Sequence, residues 1–340
     1  MVGPWKRQSH PAAPRAATAT AERGEAPEGT QVASRGCPLC GSRRWTERYP
    51  PSGTAREDSD AYRCTSMDHG ARPRVVACSG CGLHRVPEEE VSASLEAHYA
   101  DVVDEGYLLN AEARRRTFLE AFRRLEGFLG KTKGRILDIG SYCGFFLEIA
   151  AENGWEASGV EPSRWAAGYA REVKGLDVRT GTLAEYRDLS ASGFDAVVLW
   201  DVLEHLRDPA AALRDAHGRL REGGVLALST LDIDSPVAKL LGRRWPWIMH
   251  MHLFYFGRRL TEDLLRKTGF ELLAARPYTH YISLRYLLEK LAALAPRPLT
   301  WLLAALRRIA PPILVPIRLG DVKMFVARKA AVRALGREGR

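Results

Sequence analysis

Four of the six cysteines come as two pairs, Cys37-Pro-Leu-Cys40-Gly and Cys78-Ser-Gly-Cys81-Gly. Each Cys-x-x-Cys turn sets two thiolates on one side of a tight loop, and the glycine that follows lets the backbone fold around a metal. Two such turns supply the closed four-thiolate cage of a structural zinc ion. Two disulfides are the competing use, and the lack of an export signal in the first residues argues against them. Cys64 and His69, between the pairs, are spare ligand types. A second group surrounds Arg135-Ile-Leu-Asp138-Ile-Gly140-Ser-Tyr142-Cys-Gly144. Gly140 and Gly144 allow a backbone turn to approach a ligand closely. Glu161, seventeen residues after Gly144, ends the next apolar run. A carboxylate there accepts both hydroxyls of a ribose. The third glycine of the dinucleotide fingerprint is missing, so a pyrophosphate is not favoured. His205, His250 and His252 are side chains of a type that titrates near neutral pH.

These residues need elements to hold them. Residues 1–36 are rich in Ala, Pro, Thr, Gly and charge, and read as a disordered tail. Residues 37–86 form the cysteine module, and 87–134 a helical linker or cap. From 135 the pattern becomes short apolar runs alternating with helical stretches. Strands are expected at 135–140, 157–160, 178–180, 194–200, 225–230, 270–275 and 322–326. Helices are expected at 143–153, 164–173, 209–220 and 259–267. Such alternation means an α/β fold with a mostly parallel sheet covered on both faces, here over 135–330, before a basic tail at 331–340.

The motifs in order resemble the class I S-adenosylmethionine-dependent methyltransferases. In that family the glycine turn reads Asp-x-Gly-x-Gly-x-Gly. Asp138, Gly140 and Gly144 match it, and Tyr142 replaces the middle glycine. Glu161 matches the ribose-binding acid. Phe194-Asp-Ala-Val-Val-Leu-Trp-Asp201-Val-Leu-Glu204-His205 matches the fourth-strand motif, Leu220 to Leu226 the fifth strand, and His252-Leu-Phe-Tyr-Phe256 a later segment of one subgroup. The resemblance covers roughly 88–329. It implies a Rossmann-like seven-stranded sheet, S-adenosylmethionine as cofactor, and a pocket built by Asp138, Gly140, Tyr142, Gly144, Glu161, Pro162, Thr182 and Asp201. It implies direct in-line methyl transfer, with His205 and His252 as candidate catalytic residues. Cys37, Cys40, Cys78 and Cys81 in front of such a domain are similar to a subgroup that includes sugar C-methyltransferases. The expected acceptor is therefore a small molecule or sugar, methylated at carbon or oxygen.

The formal net charge of +9 tests the alternatives. Residues 258–340 carry 17 Lys/Arg and 6 Asp/Glu, so the basic excess sits in the last quarter of the chain. That is not a distributed basic face for nucleic acid. The fourth-strand motif also lacks the Asn/Asp-Pro-Pro-Tyr of base-amine methyltransferases. A nucleic-acid or protein methyltransferase is the second reading, and a non-catalytic zinc adaptor with a pocket altered at Tyr142 the third. Residues 279–320 form an insertion before the last strand. Two leucine-rich helical stripes carry six basic residues and one acidic. A helical lid packed on the domain, or a dimer contact, is the favoured reading. Peripheral contact with an anionic membrane or a lipid-linked acceptor is the alternative. No 18-residue apolar run occurs, and the expected location is the cytoplasm, with a membrane's inner face as the variant.

Overall fold

The cysteine pairs and the glycine turn lie on two sheets that share a strand-to-loop junction. The structure, a computed structural model, describes residues 36–53, 58–65, 71–130, 132–186, 193–294 and 297–330. The expected tails at 1–35 and 331–340, and His69, lie outside the described residues. The described residues form one compact unit. β1 (Trp45–Tyr49), β2 (Val75–Cys78) and β3 (His84–Arg85) follow the first cysteine turn. α1 (Leu95–Ala100), α2 (Glu105–Leu109) and α3 (Ala111–Glu126) then make the cap.

The βα repeat begins with β4 (Arg135–Ile139), α4 (Phe145–Glu152), β5 (Glu156–Glu161), α5 (Arg164–Glu172), β6 (Asp177–Thr180) and β7 (Phe194–Trp200). It continues with α6 (Pro209–Arg219), β8 (Leu220–Leu231), α7 (Pro236–Leu241), β9 (Phe254–Tyr255), α8 (Arg258–Lys267) and β10 (Phe270–Pro277). The insertion holds β11 (His280–Ser283), α9 (Leu284–Leu294), α10 (Arg297–Ile309) and β12 (Leu314–Ile317), and β13 (Val322–Lys329) closes the domain.

The main sheet has seven strands in the order β10-β13-β8-β7-β4-β5-β6. β4 through β8 pair in parallel, while β13 runs antiparallel between β8 and β10. The central strands are buried on both faces, which is why Phe194-Asp-Ala-Val-Val-Leu-Trp reads as a nearly unbroken apolar run. The chain reverses direction across the sheet between β4 and β7, and Gly140, Glu161, Asp201 and Glu204 all sit at or beyond the carboxyl ends of these strands. Ligands of open α/β sheets bind there.

β9, from far along the chain, completes the four-stranded sheet β1-β2-β3-β9 of the cysteine module, pairing His84 with Tyr255 and Arg85 with Phe254. The two-residue strands that make this junction are too short to leave a periodic signal. The insertion is only half a packed lid. β11 pairs with β12 and α9 is partly covered, but α10 leaves its apolar side in solvent, with Trp301 81% exposed and Ile309 79% exposed.

Candidate active site

The glycine turn after β4 is fixed by backbone geometry. Gly140 has φ +76° and Gly144 φ +72°. A Cβ on Gly140 would lie 2.6 Å from Val202, and one on Gly144 2.5 Å from Leu176. Internal close packing alone therefore requires glycine at both positions. Tyr142, where a glycine is usual, takes φ +46°. Its ring packs edge-on to Tyr107 at 4.5 Å and Trp165 at 6.3 Å, and these contacts hold a left-handed conformation that a non-glycine residue adopts at a cost. The turn keeps its shape, and its Tyr142 N–H points at Glu161.

Glu161 is buried at the end of β5. Its Oε2 accepts the Tyr142 N–H at 2.8 Å and its Oε1 accepts the Ser163 N–H at 2.8 Å. Burial pushes its pKa up to about 7, against the lowering pull of those two N–H bonds. Asp138 is buried on β4, and burial, then the charge of Glu161, raises its pKa well above the usual carboxylate range. Asp138 Oδ1 and Ser141 Oγ are buried without a hydrogen-bond partner, polar atoms suited to a polar ligand at this turn. Pro162 follows Glu161 directly. Thr182 is exposed, its N–H is taken up by Glu185 within its own turn, and the preceding Gly181 N–H meets the Glu161 carbonyl at 2.8 Å.

Asp201 directly follows β7 in a left-handed conformation, φ +54°. Ser229 fixes it from β8, donating its hydroxyl to Oδ1 at 2.6 Å and accepting the Asp201 N–H at 2.8 Å. His280 Nε2 lies 3.1 Å from Asp201 Oδ2. Three residues on, Glu204, His205 and His252 converge, with potential ligand atoms all within 4.8 Å of one another. The two imidazole rings are 4.7 Å apart. His205 Nδ1 lies 2.9 Å from the Met251 carbonyl and 2.8 Å from Tyr99 Oη, and His252 Nδ1 lies 2.7 Å from the Trp247 carbonyl. A carbonyl accepts only, so each Nδ1 carries the proton and each Nε2 keeps its lone pair. Burial pushes His205 down to about 4, and burial with the neighbouring His205 pushes His252 down to about 3. Glu204 moves the other way, up to about 8, through burial and the charge of Asp201. His250 is half-buried two residues before His252.

The sequence reading quoted Glu204 in its motif without giving it a role, and did not single out His280, Ser229, Asp104 or Tyr99. Glu204 stands beside His205 in the same motif and was open to recognition. The others approach from distant elements with no local signal. Asp104 caps α2, and it accepts the Thr65 N–H at 3.0 Å and the Tyr142 hydroxyl at 3.4 Å, joining the cysteine module to the glycine turn.

The Glu204 shift gives a stability prediction. Its folded pKa lies above the unfolded value near 4.5, so its contribution is complete below that value and is lost as pH rises through about 8. Between pH 6 and 9 the melting temperature of the ligand-free chain should fall, and Glu204→Gln should flatten that fall. Parallel pH curves for the two proteins would sink the assignment. The histidines, with folded values depressed, lose stability as pH drops below about 6.5 and so touch only the lower edge of this window.

The four cysteines form the other site. Gly41 N–H meets Cys37 O, and Gly82 N–H meets Cys78 O, both at 2.8 Å. Cys37 N–H meets Ser42 O, and Cys78 N–H meets Leu83 O, again at 2.8 Å. The two turns thus repeat one geometry. Cys37 and Cys81 sulfurs are 3.5 Å apart, as are those of Cys40 and Cys78. That is near the ~3.8 Å edge of a tetrahedron with ~2.3 Å metal–sulfur bonds, and far from a disulfide at ~2.05 Å. Cys64 is outside the group, and Cys143 is buried in the core near the glycine turn.

Residues 111–275 match the methyltransferase domain family. Those residues, just under half of the chain, thus carry a methyltransferase domain as the match describes it. The ubiquinone biosynthesis O-methyltransferase of Alkalilimnicola ehrlichii is 36% identical over 111 residues, 31% of this chain and 44% of that protein. The one from Ruegeria pomeroyi is 32% identical over 148 residues, 40% of this chain and 60% of that protein. A solved S-adenosylmethionine-dependent methyltransferase from Archaeoglobus fulgidus is 19% identical, covers 66% of this chain and 100% of its own, and has a TM-score of 0.44. The chain spans about half the length of the first curated relatives it matches. The matched region holds the glycine turn, Glu161 and the Glu204–His205–His252 cluster. It excludes the cysteine turns and the 279–320 insertion.

Proposed function

We propose that this methyltransferase acts on a small molecule, transferring the methyl group to a hydroxyl oxygen or an acidic carbon, with Glu204, His205 and His252 receiving the acceptor's proton. The observation that carries this reading is the convergence of two neutral imidazoles and a buried carboxyl beyond the end of β7, one loop away from Glu161. The names of the curated relatives favour oxygen, and the ordered cysteine turns keep a sugar carbon as the second acceptor class. Bound S-adenosylmethionine supplies a methyl group already activated on a sulfonium. Glu161 is suited to hold the ribose hydroxyls, Tyr142 to shape the turn around the cofactor, and Asp138 and Ser141 to meet its polar groups. Gly140, Gly144, Pro162 and Asp201 build the walls.

The chain's own work is then mainly alignment and exclusion of water. His252 and His205 stay unprotonated at neutral pH, with their Nδ1 protons tied to backbone carbonyls. A proton lost by the acceptor can be taken at an Nε2, or by the ionised fraction of Glu204, which grows as pH rises toward about 8. The four thiolates support a structural zinc that orders the loop carrying His252.

Calorimetry should show one S-adenosylmethionine site per chain, and labelled methyl should move to phenolic or sugar-nucleotide acceptors in a screen. Absence of binding at millimolar cofactor sinks the whole reading. Binding with transfer only to nucleic acid or protein sinks the acceptor class.

A further inference from the structure

The insertion sets an amphipathic helix on the outside of the enzyme. β11 anchors it to the cap: Tyr281 N–H donates to Thr117 Oγ1 and the Tyr281 hydroxyl donates to Glu120, both at 2.8 Å. α9 packs on one side of α10, where Arg307 pairs with Glu289 at 3.2 Å. The opposite side of α10 stays in solvent. Leu299, Leu302, Leu306 and Ile309 follow the i, i+3, i+7, i+10 stripe of one helical face, and all four are exposed. Trp301 flanks the stripe, and Arg308 stands two turns further along the same flank. Ile313 and Leu319 extend the exposed apolar surface past the helix, with Arg318 exposed beside Leu319.

We propose that α10 is a docking surface for an anionic lipid membrane, lying in the interface plane with Trp301, Leu302, Leu306 and Ile309 sunk among the lipids. Charge selects this occupant. The 279–320 segment has six basic residues and one acidic residue, and that acid, Glu289, is paired with Arg307. A second copy meeting this face across a two-fold axis would set basic residues against basic residues, a repulsive arrangement. Anionic headgroups neutralise the same arginines, while tryptophan and leucine enter the boundary between headgroups and acyl chains. No helix among the described residues is long and apolar enough to cross a membrane, so the contact is peripheral. The docked insertion also reaches the active site, because β11 places His280 on Asp201. An acceptor dissolved in or anchored to the membrane would thus enter beside the strand ends where the chemistry takes place.

Flotation of the full chain on phosphatidylcholine vesicles with and without one quarter phosphatidylglycerol tests this. The expected result is co-flotation with the anionic vesicles, weakened by high salt. Trp301→Glu with Ile309→Glu should abolish it. Arg308→Gln with Arg318→Gln should weaken partitioning on the order of tenfold. All substituted side chains are exposed, and unchanged melting curves verify folding. An intact chain that stays with the unbound fraction at low salt overturns the proposal, as does equal flotation of wild type and both variants. Conversion of a dimer to a monomer by Trp301→Glu with Ile309→Glu, without any flotation of the intact chain, assigns the face to a second copy instead.

Discussion

Glu161→Ala is expected to weaken S-adenosylmethionine binding on the order of a hundredfold or more, while costing little stability at pH 8. The first half follows from the number of groups that depend on this carboxylate. It holds the Tyr142 and Ser163 N–H groups at 2.8 Å each, and the proposed reading has it also accept the ribose hydroxyls. Hydrogen bonds to a charged group contribute about 1.5–3 kcal/mol each, and losing two is worth about two orders of magnitude or more in affinity. Tyr142 would also lose the acceptor that steadies its left-handed backbone. The second half follows from the pKa of about 7. At pH 8 the ligand-free protein holds a buried carboxylate in its less favourable ionised form, and removing it relieves that cost. Stability is lost as pH rises through about 7, by the same sign as for Glu204. Glu161→Gln should be intermediate, because one amide oxygen can accept only on one side. Calorimetry with melting curves at pH 8 checks both halves. Binding within about threefold of wild type would remove Glu161 from the cofactor site.

The contrast between what was legible and what was not follows range in sequence. β4 to β8 and their helices leave apolar runs of the right length, and each expected strand meets an observed one within a few residues. The Asp138–Gly144 turn and Glu161 are readable because backbone conformation and one carboxylate must lie at set distances along the chain. α9 and α10 were expected from their leucine stripes, but which stripe is covered depends on packing partners that periodicity does not name. That is why α10 departs from the favoured packed-lid reading. The short pairing of β3 with β9 and the contact of His280 with Asp201 join residues more than 70 positions apart. No local pattern announces such contacts. The result is that the glycine turn and Glu161 were legible, and the Glu204–His205–His252 cluster was legible only as separate motifs.

Cys78→Ser, or zinc removal by a chelator, should damage methyl transfer far more than cofactor binding. The path is a short series of backbone contacts. Cys78 ends β2, which pairs with β3, and β3 pairs with β9. Val86 N–H then meets Leu253 O at 2.9 Å, and Leu253 N–H meets Glu204 O at 2.8 Å. His252 is the preceding residue. The cysteine module therefore holds the loop on which Glu204 and His252 meet, whereas β4 and β5 hold the glycine turn and Glu161 independently. Cys37, Cys78, Trp45 and Leu83 also share one core with Leu253, Phe254 and Phe256, so the loss cannot stay local. Structural zinc is worth on the order of 10 kcal/mol in isolated fingers, and a fraction of that here would lower the melting temperature by about 10 °C or more. Elemental analysis should find one zinc per chain, with both stability and transfer restored on adding zinc back to the chelated protein. S-adenosylmethionine affinity should change by only a few-fold, through the weaker Thr65–Asp104–Tyr142 link. A metal-free chain that transfers methyl at the full rate would separate the cysteine module from catalysis. Equal loss of binding and transfer would mean that the whole domain, not the His252 loop, depends on the metal.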